Sequence, residues 1–151
     1  MLLVIMCLKI NVKPSKSTKT TFIISAIWLP ILIFCSLKFF HLNYLINIQL
    51  DKVSIISLVL ISPIWEELVF RGLLQEWLQK LLKSTVFLIF IVNLLFMVIH
   101  YFNNHNLLYL LAIFCCGVIF SIIKLYLNRI FYPILLHSYY NLTLLFYVLH
   151  L

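Results

Sequence analysis

Trp65-Glu66-Glu67-Leu68-Val69-Phe70-Arg71-Gly72 is the stretch whose reading decides the fold. The octapeptide contains two of the four acidic residues in the protein. It lies between apolar stretches long enough to enter a bilayer. An ionisable side chain in such a setting is costly, and by default it marks a functional site. The rest of the sequence is therefore read for residues that come to meet this pair.

The 151 residues are 65% hydrophobic and 10% charged, with a mean hydropathy of +1.15. Soluble domains carry roughly 45–50% apolar and about 25% charged residues. The surplus apolar surface needs lipid, which makes the fold class all-α, a polytopic transmembrane helical bundle. A net charge of +7 would point a soluble protein toward nucleic acid. No basic helix or RNA-type motif accompanies it here, so nucleic acid is not an expected partner and the lipid bilayer is. The basic residues instead hold loops on the cytoplasmic side. Of the four cysteines, Cys115 and Cys116 are adjacent in an apolar run and read as small packing residues. The cysteines form no CxxC pair and no Cys/His cluster of zinc-ligand spacing, so neither a disulfide framework nor an oxidising compartment is implied.

Working outward, the apolar stretch on the N-terminal side of the octapeptide begins at Val53, and Pro63 stands just before the glutamates. The helix that follows is acidic in its first turn and basic at its end, with Lys80 and Lys83, as the helix macrodipole favours. Residues 53–82 thus read either as one long broken helix or as a span followed by an amphipathic helix at the interface. Residues 84–101, 107–127 and 131–151 read as further spans. On the N-terminal side, residues 20–37 make the first span. Residues 1–8 are too short to cross a bilayer, and 9–19 read as a basic cytoplasmic linker. About five spans result in one membrane domain (20–151). The lysine and arginine asymmetry places the N-terminus in the cytoplasm.

Three fragments carry polar groups into these helices. In Glu66-Glu67-x-x-x-Arg71, neighbouring positions point about 100° apart. Glu67 and Arg71 share a face and can pair, while Glu66 points elsewhere, toward a cavity. Phe96-x-x-x-His100 and His137-x-x-x-Asn141 each put two groups on one face. Each fragment alone also reads as structure: a salt-bridged helix start, an interfacial histidine, polar glue between helices. Together they offer more. A carboxylate and an imidazole can hold and deprotonate a water, and a histidine with an asparagine can stabilise an oxyanion. That set suffices for hydrolysing a peptide bond without a covalent nucleophile. A strict hairpin count sets Glu66 toward the inner side and His100 near the outer end of its span, yet catalysis requires them to meet.

In this order on successive helices, the three fragments resemble the CPBP family of CAAX prenyl endopeptidases and bacteriocin-processing (Abi) proteins. Arg71-Gly72-Leu73-Leu74 and Pro133-Ile134-Leu135-Leu136-His137 add to the likeness. The resemblance implies a glutamate-type intramembrane endopeptidase in which Glu66 activates water, His100 shares that water, and His137 and Asn141 form an oxyanion hole. Glu67, Arg71 and Phe96 would support the site. The likeness covers about residues 53–151, which it would make the catalytic core. It leaves metal open; the sequence holds no HExxH motif, and neither a metal nor another cofactor is expected. The expected substrate is a membrane-anchored protein or peptide, and the expected location is the bacterial cytoplasmic membrane. Two other readings fit the same residues: a catalytically inactive immunity or scaffold protein of this family, and a small transporter whose polar residues line a path.

Overall fold

In the computed structural model, the structure describes residues 52–102 and 105–149, together with Thr20. Apart from Thr20, the first span at 20–37 lies outside the described residues, as do the N-terminal stub and linker. All described elements are helical. Three α segments, α1 (Lys52–Ile56), α2 (Ser62–Glu67) and α3 (Gln75–Leu81), alternate with π-helical turns at Ser57–Ile61 and Leu68–Leu74. Residues 52–81 therefore form one long helix, the first of the two readings the sequence allowed. Then follow α4 (Thr85–Tyr101), α5 (Leu107–Leu127) and α6 (Phe131–Leu149).

The second π turn has a cause in the buried stripe. Pro63, Glu67, Arg71 and Gln75 recur every four residues, and each is under 2% exposed. In a pure α-helix four residues overshoot a full turn by about 40°, so the stripe would wind away from its neighbours. A π turn holds more than four residues, so its undershoot cancels the drift and all four residues face the same packed interior. The first π turn also leaves a mark. Ser62 N–H donates to Ser57 O, and the next π-type donor would be Pro63, which has no N–H. The Leu58 carbonyl so released is taken by the Asn141 side chain, whose Nδ2 donates to it at 2.8 Å.

Capping residues set the turns. Ser84 accepts from Phe87 N–H and starts α4, and Asn106 accepts from Leu108 and Tyr109 N–H and starts α5. Asn128 ends α5 in the left-handed region (φ 50°), and its N–H donates to Lys124 O at 2.9 Å. Only glycine and, less readily, asparagine or aspartate adopt that backbone cheaply, at a cost for other residues of about 1–2 kcal/mol. Asn128→Val is accordingly expected to lower stability by that amount and Asn128→Gly to leave it nearly unchanged. Equilibrium unfolding in mixed micelles measures both.

Two apolar clusters form the core. Phe70, Leu88, Val92 and Phe96 pack between the long helix and α4. Phe120, Ile123, Leu136 and Tyr140 pack between α5 and α6. Between them lies a polar seam of Glu67, Arg71, Gln75, Asn93, Ser121 and His137, every one buried. The outside is apolar: Trp65, Leu73, Trp77, Phe87, Leu107 and Phe146 are all more than half exposed. An apolar exterior around a polar interior suits a lipid solvent. By length and composition, α5 is the one described helix long and apolar enough to cross a membrane, and α4 is apolar but shorter.

Candidate active site

The long helix and α4 run antiparallel around the turn at residues 82–84. Glu66 and His100 are equidistant in sequence from Lys83, so the hairpin brings them level. His100 Nε2 lies 3.8 Å from Glu66 Oε2. The expectation that they sit toward opposite sides is thereby corrected. It followed from ending the span before the glutamates, whereas the helix continues through them to Leu81. From α6, His137 Nε2 approaches the same oxygen at 3.7 Å. Three helices thus converge on Glu66 Oε2, which is buried and has no hydrogen-bond partner among the described residues. The Glu66 side chain as a whole remains 28% exposed, so the point of convergence lies close to an opening.

Each ring is held from behind. His100 Nδ1 lies 2.8 Å from Phe96 O. A carbonyl only accepts, so Nδ1 carries the hydrogen and, in the neutral ring, Nε2 presents a lone pair toward Glu66. His137 Nδ1 lies 2.9 Å from Glu67 Oε1, and donation to that carboxylate leaves its Nε2 in the same condition. The Phe96 ring contacts that of His100 (centroids 4.6 Å apart), and Phe120 stacks on His137 at 4.9 Å. Three acceptors facing one point require hydrogens from elsewhere. A water supplies two, and a proton taken up by one imidazole supplies a third.

Glu67 and Arg71 form the expected ion pair, Nη1 donating to Oε1 at 3.1 Å, and both side chains are fully buried. The sequence placed Glu67 in support of Arg71 and missed its second task, anchoring His137 from another helix. Arg71 is held further by Asn93 and Gly117, and its guanidinium lies 4.4 Å from the centre of the Phe96 ring. Gln75 donates to Ser121 O at 3.2 Å. The four-residue spacing of Glu67, Arg71 and Gln75 was the available signal for Gln75. Asn93, alone among the leucines of α4, was a polar residue in an apolar span and so a candidate by the same rule that singled out Glu66. Asn141, a turn from His137 on α6, has one amide hydrogen committed to Leu58 O. Its bond secures α6 to the long helix. No group of three His, Cys, Asp or Glu side chains with metal-holding geometry occurs among the described residues.

Residues 48–143 match the family described as type II CAAX prenyl endopeptidase Rce1-like. Neither a curated protein nor a solved structure matches the chain. The matched region contains Glu66, His100 and His137, and it covers most of the chain: this protein belongs to the Rce1-like family of type II CAAX prenyl endopeptidases, a family of membrane-embedded proteases.

Proposed function

We propose that the protein is a glutamate-type intramembrane endopeptidase that cleaves a membrane-anchored protein or peptide. The observation that carries this reading is the convergence of His100 Nε2 and His137 Nε2 on the unpartnered Glu66 Oε2, at 3.8 and 3.7 Å. A water in that gap donates one hydrogen to Glu66 and one to His100. Glu66 takes a proton from the water as its oxygen attacks the carbonyl carbon of the scissile peptide. The C=O pair moves onto oxygen. His137 stabilises that oxyanion from Nε2–H, which with Nδ1–H committed to Glu67 means the imidazolium, and the Glu67 carboxylate supports its charge. The second amide hydrogen of Asn141 is the other donor. Glu66 then passes its proton to the leaving nitrogen, and the C–N bond breaks to give a carboxylic acid and an amine.

About five spans, a cytoplasmic N-terminus and a bacterial cytoplasmic membrane complete the proposal. It is supported by the apolar exterior, by α5 as a span, and by Lys80, Lys83, Lys124 and Arg129 all falling at the end of the bundle where the long helix and α5 stop.

The test is cleavage of a membrane-anchored reporter peptide by purified protein in proteoliposomes, with and without hydroxylamine. Direct attack by water yields only the free acid. A hydroxamate product would reveal an acyl-enzyme and sink the mechanism. His100→Gln keeps bulk and polarity but not ring basicity, and it is expected to reduce kcat by roughly 10²-fold or more. Turnover unchanged in that variant would remove His100 from the chemistry.

A further inference from the structure

The polar seam behind the site connects it to residues that touch no reacting group. Asn93 on α4 is completely buried. Its Nδ2 donates to Ile89 O at 2.7 Å and to Ser121 Oγ at 3.0 Å, and its Oδ1 accepts from Arg71 Nη2 at 2.9 Å. With both amide hydrogens directed at acceptors on α4 and α5, the carboxamide has one orientation, oxygen toward Arg71. Gly117 on α5 supplies the second contact: its carbonyl accepts from the same Nη2 at 3.0 Å. The glycine also keeps this corner open. A Cβ there would lie 2.4 Å from Asn93 Oδ1, 3.0 Å from Arg71 Nη2 and 3.2 Å from Phe96 Cδ1.

One nitrogen of a planar fork is thus pinned by two acceptors on two helices. Because the guanidinium is rigid, fixing Nη2 also fixes Nη1, which donates to Glu67 Oε1 at 3.1 Å. The same oxygen faces His137 Nδ1 at 2.9 Å. Glu67 Oε2 has no partner among the described residues, so the rotation of the carboxylate that presents an oxygen to the imidazole is held by Arg71.

We propose that Asn93 and Gly117 are positioning residues for His137, acting through Arg71 and Glu67 to hold its imidazole in the Nδ1–H tautomer. The proposal rests on the reading of His137 Nε2 as a working atom of the active site. A burial-only role for the same residues would stabilise the bundle without setting the ring. In the positioning role, a shift of the Arg71 fork frees Glu67 to rotate, and His137 then samples both tautomers; the second carries no hydrogen on Nδ1 for Glu67, so the imidazolium that donates from Nε2–H to the oxyanion loses its carboxylate support.

The experiment is nitrogen NMR of protein labelled with ¹⁵N-histidine in lipid nanodiscs, at a pH where the rings are neutral, with His137 identified by loss of its signals in His137→Gln. Wild type is expected to show Nδ1 protonated and Nε2 not. In Asn93→Ala and Gly117→Ala the two shifts should move toward each other, and kcat should fall by up to about 10²-fold with KM much less affected. Gly72→Ala is the control, because its Cβ meets only the flexible tip of Ile130 at 3.1 Å and its own helix backbone at 3.9 Å. It should leave both readouts unchanged. Should the two disruptive variants fail to fold, Ser121→Ala removes one of the two anchors of the Asn93 amide and is read in the same way. A His137 ring still locked as Nδ1–H in the folded variants overturns the proposal, whatever happens to activity. Tautomer loss in a protein that cleaves nothing even as wild type leaves the positioning role intact and removes the peptidase reading instead.

Discussion

Glu66→Gln is expected to lower peptide-bond cleavage by about 10²- to 10⁴-fold, the usual contribution of a positioned general base, while the protein accumulates normally. The two halves of this prediction have separate reasons. Glutamine fills the same volume and still accepts a hydrogen bond, but it cannot take a proton from water, so the step fails. Stability survives because the Glu66 side chain is 28% exposed and its Oε2 has no hydrogen-bond partner to lose among the described residues. The comparison is kcat of purified wild type and variant in proteoliposomes at equal amounts of folded protein. Activity within a few-fold of wild type would exclude Glu66 as the base. It would place the chemistry on other residues, whereas an inactive scaffold protein of the same family would show no cleavage in wild type and variant alike.

Arg71→Leu should be the most damaging single change to stability, by about 3–5 kcal/mol. Arg71 and Glu67 are both fully buried, and removing the cation leaves a carboxylate desolvated and facing only His137. The loss exceeds that of the ion pair alone, because the same guanidinium joins three helices through Glu67, Asn93 and Gly117. Arg71→Lys should rescue little. A single ammonium on a flexible stem lacks the planar fork that reaches acceptors on opposite sides. The double variant Glu67→Gln/Arg71→Leu should regain part of the stability, since neither buried charge remains, but no activity, since His137 is left without its carboxylate. Equilibrium unfolding in mixed micelles gives the energies. A loss for Arg71→Leu below about 1 kcal/mol, the scale of an exposed pair, would show that the arginine reaches water in the membrane.

The regular spacing of helices made much of the site legible without coordinates. Glu67 with Arg71, and Phe96 with His100, are neighbours one turn apart, so their faces follow from the helical repeat whatever the tertiary fold. The scale of the apolar composition likewise demanded helices in lipid. The location of Asn141 relative to His137 was also local, but its partner was not: Leu58 O becomes available only because a π turn meets Pro63, and neither a hydropathy pattern nor a motif announces a π turn.

The sequence by itself determined the helical class, the acidic pair as the centre of the chain, and the three fragments that meet there. It did so because side-chain direction along one helix repeats with a known period and because buried charge in an apolar segment is too costly to be incidental. Only the tertiary structure decided that Glu66 and His100 stand level, that Glu67 serves both Arg71 and His137, and that Asn93 and Gly117 hold the arginine from two further helices. Those facts depend on the depth and rotation at which separate helices pack. Depth and rotation are set by the winding of residues 52–81 through its π turns and by the close approach that Gly117 permits, sums of many weak contacts that no single stretch of sequence encodes.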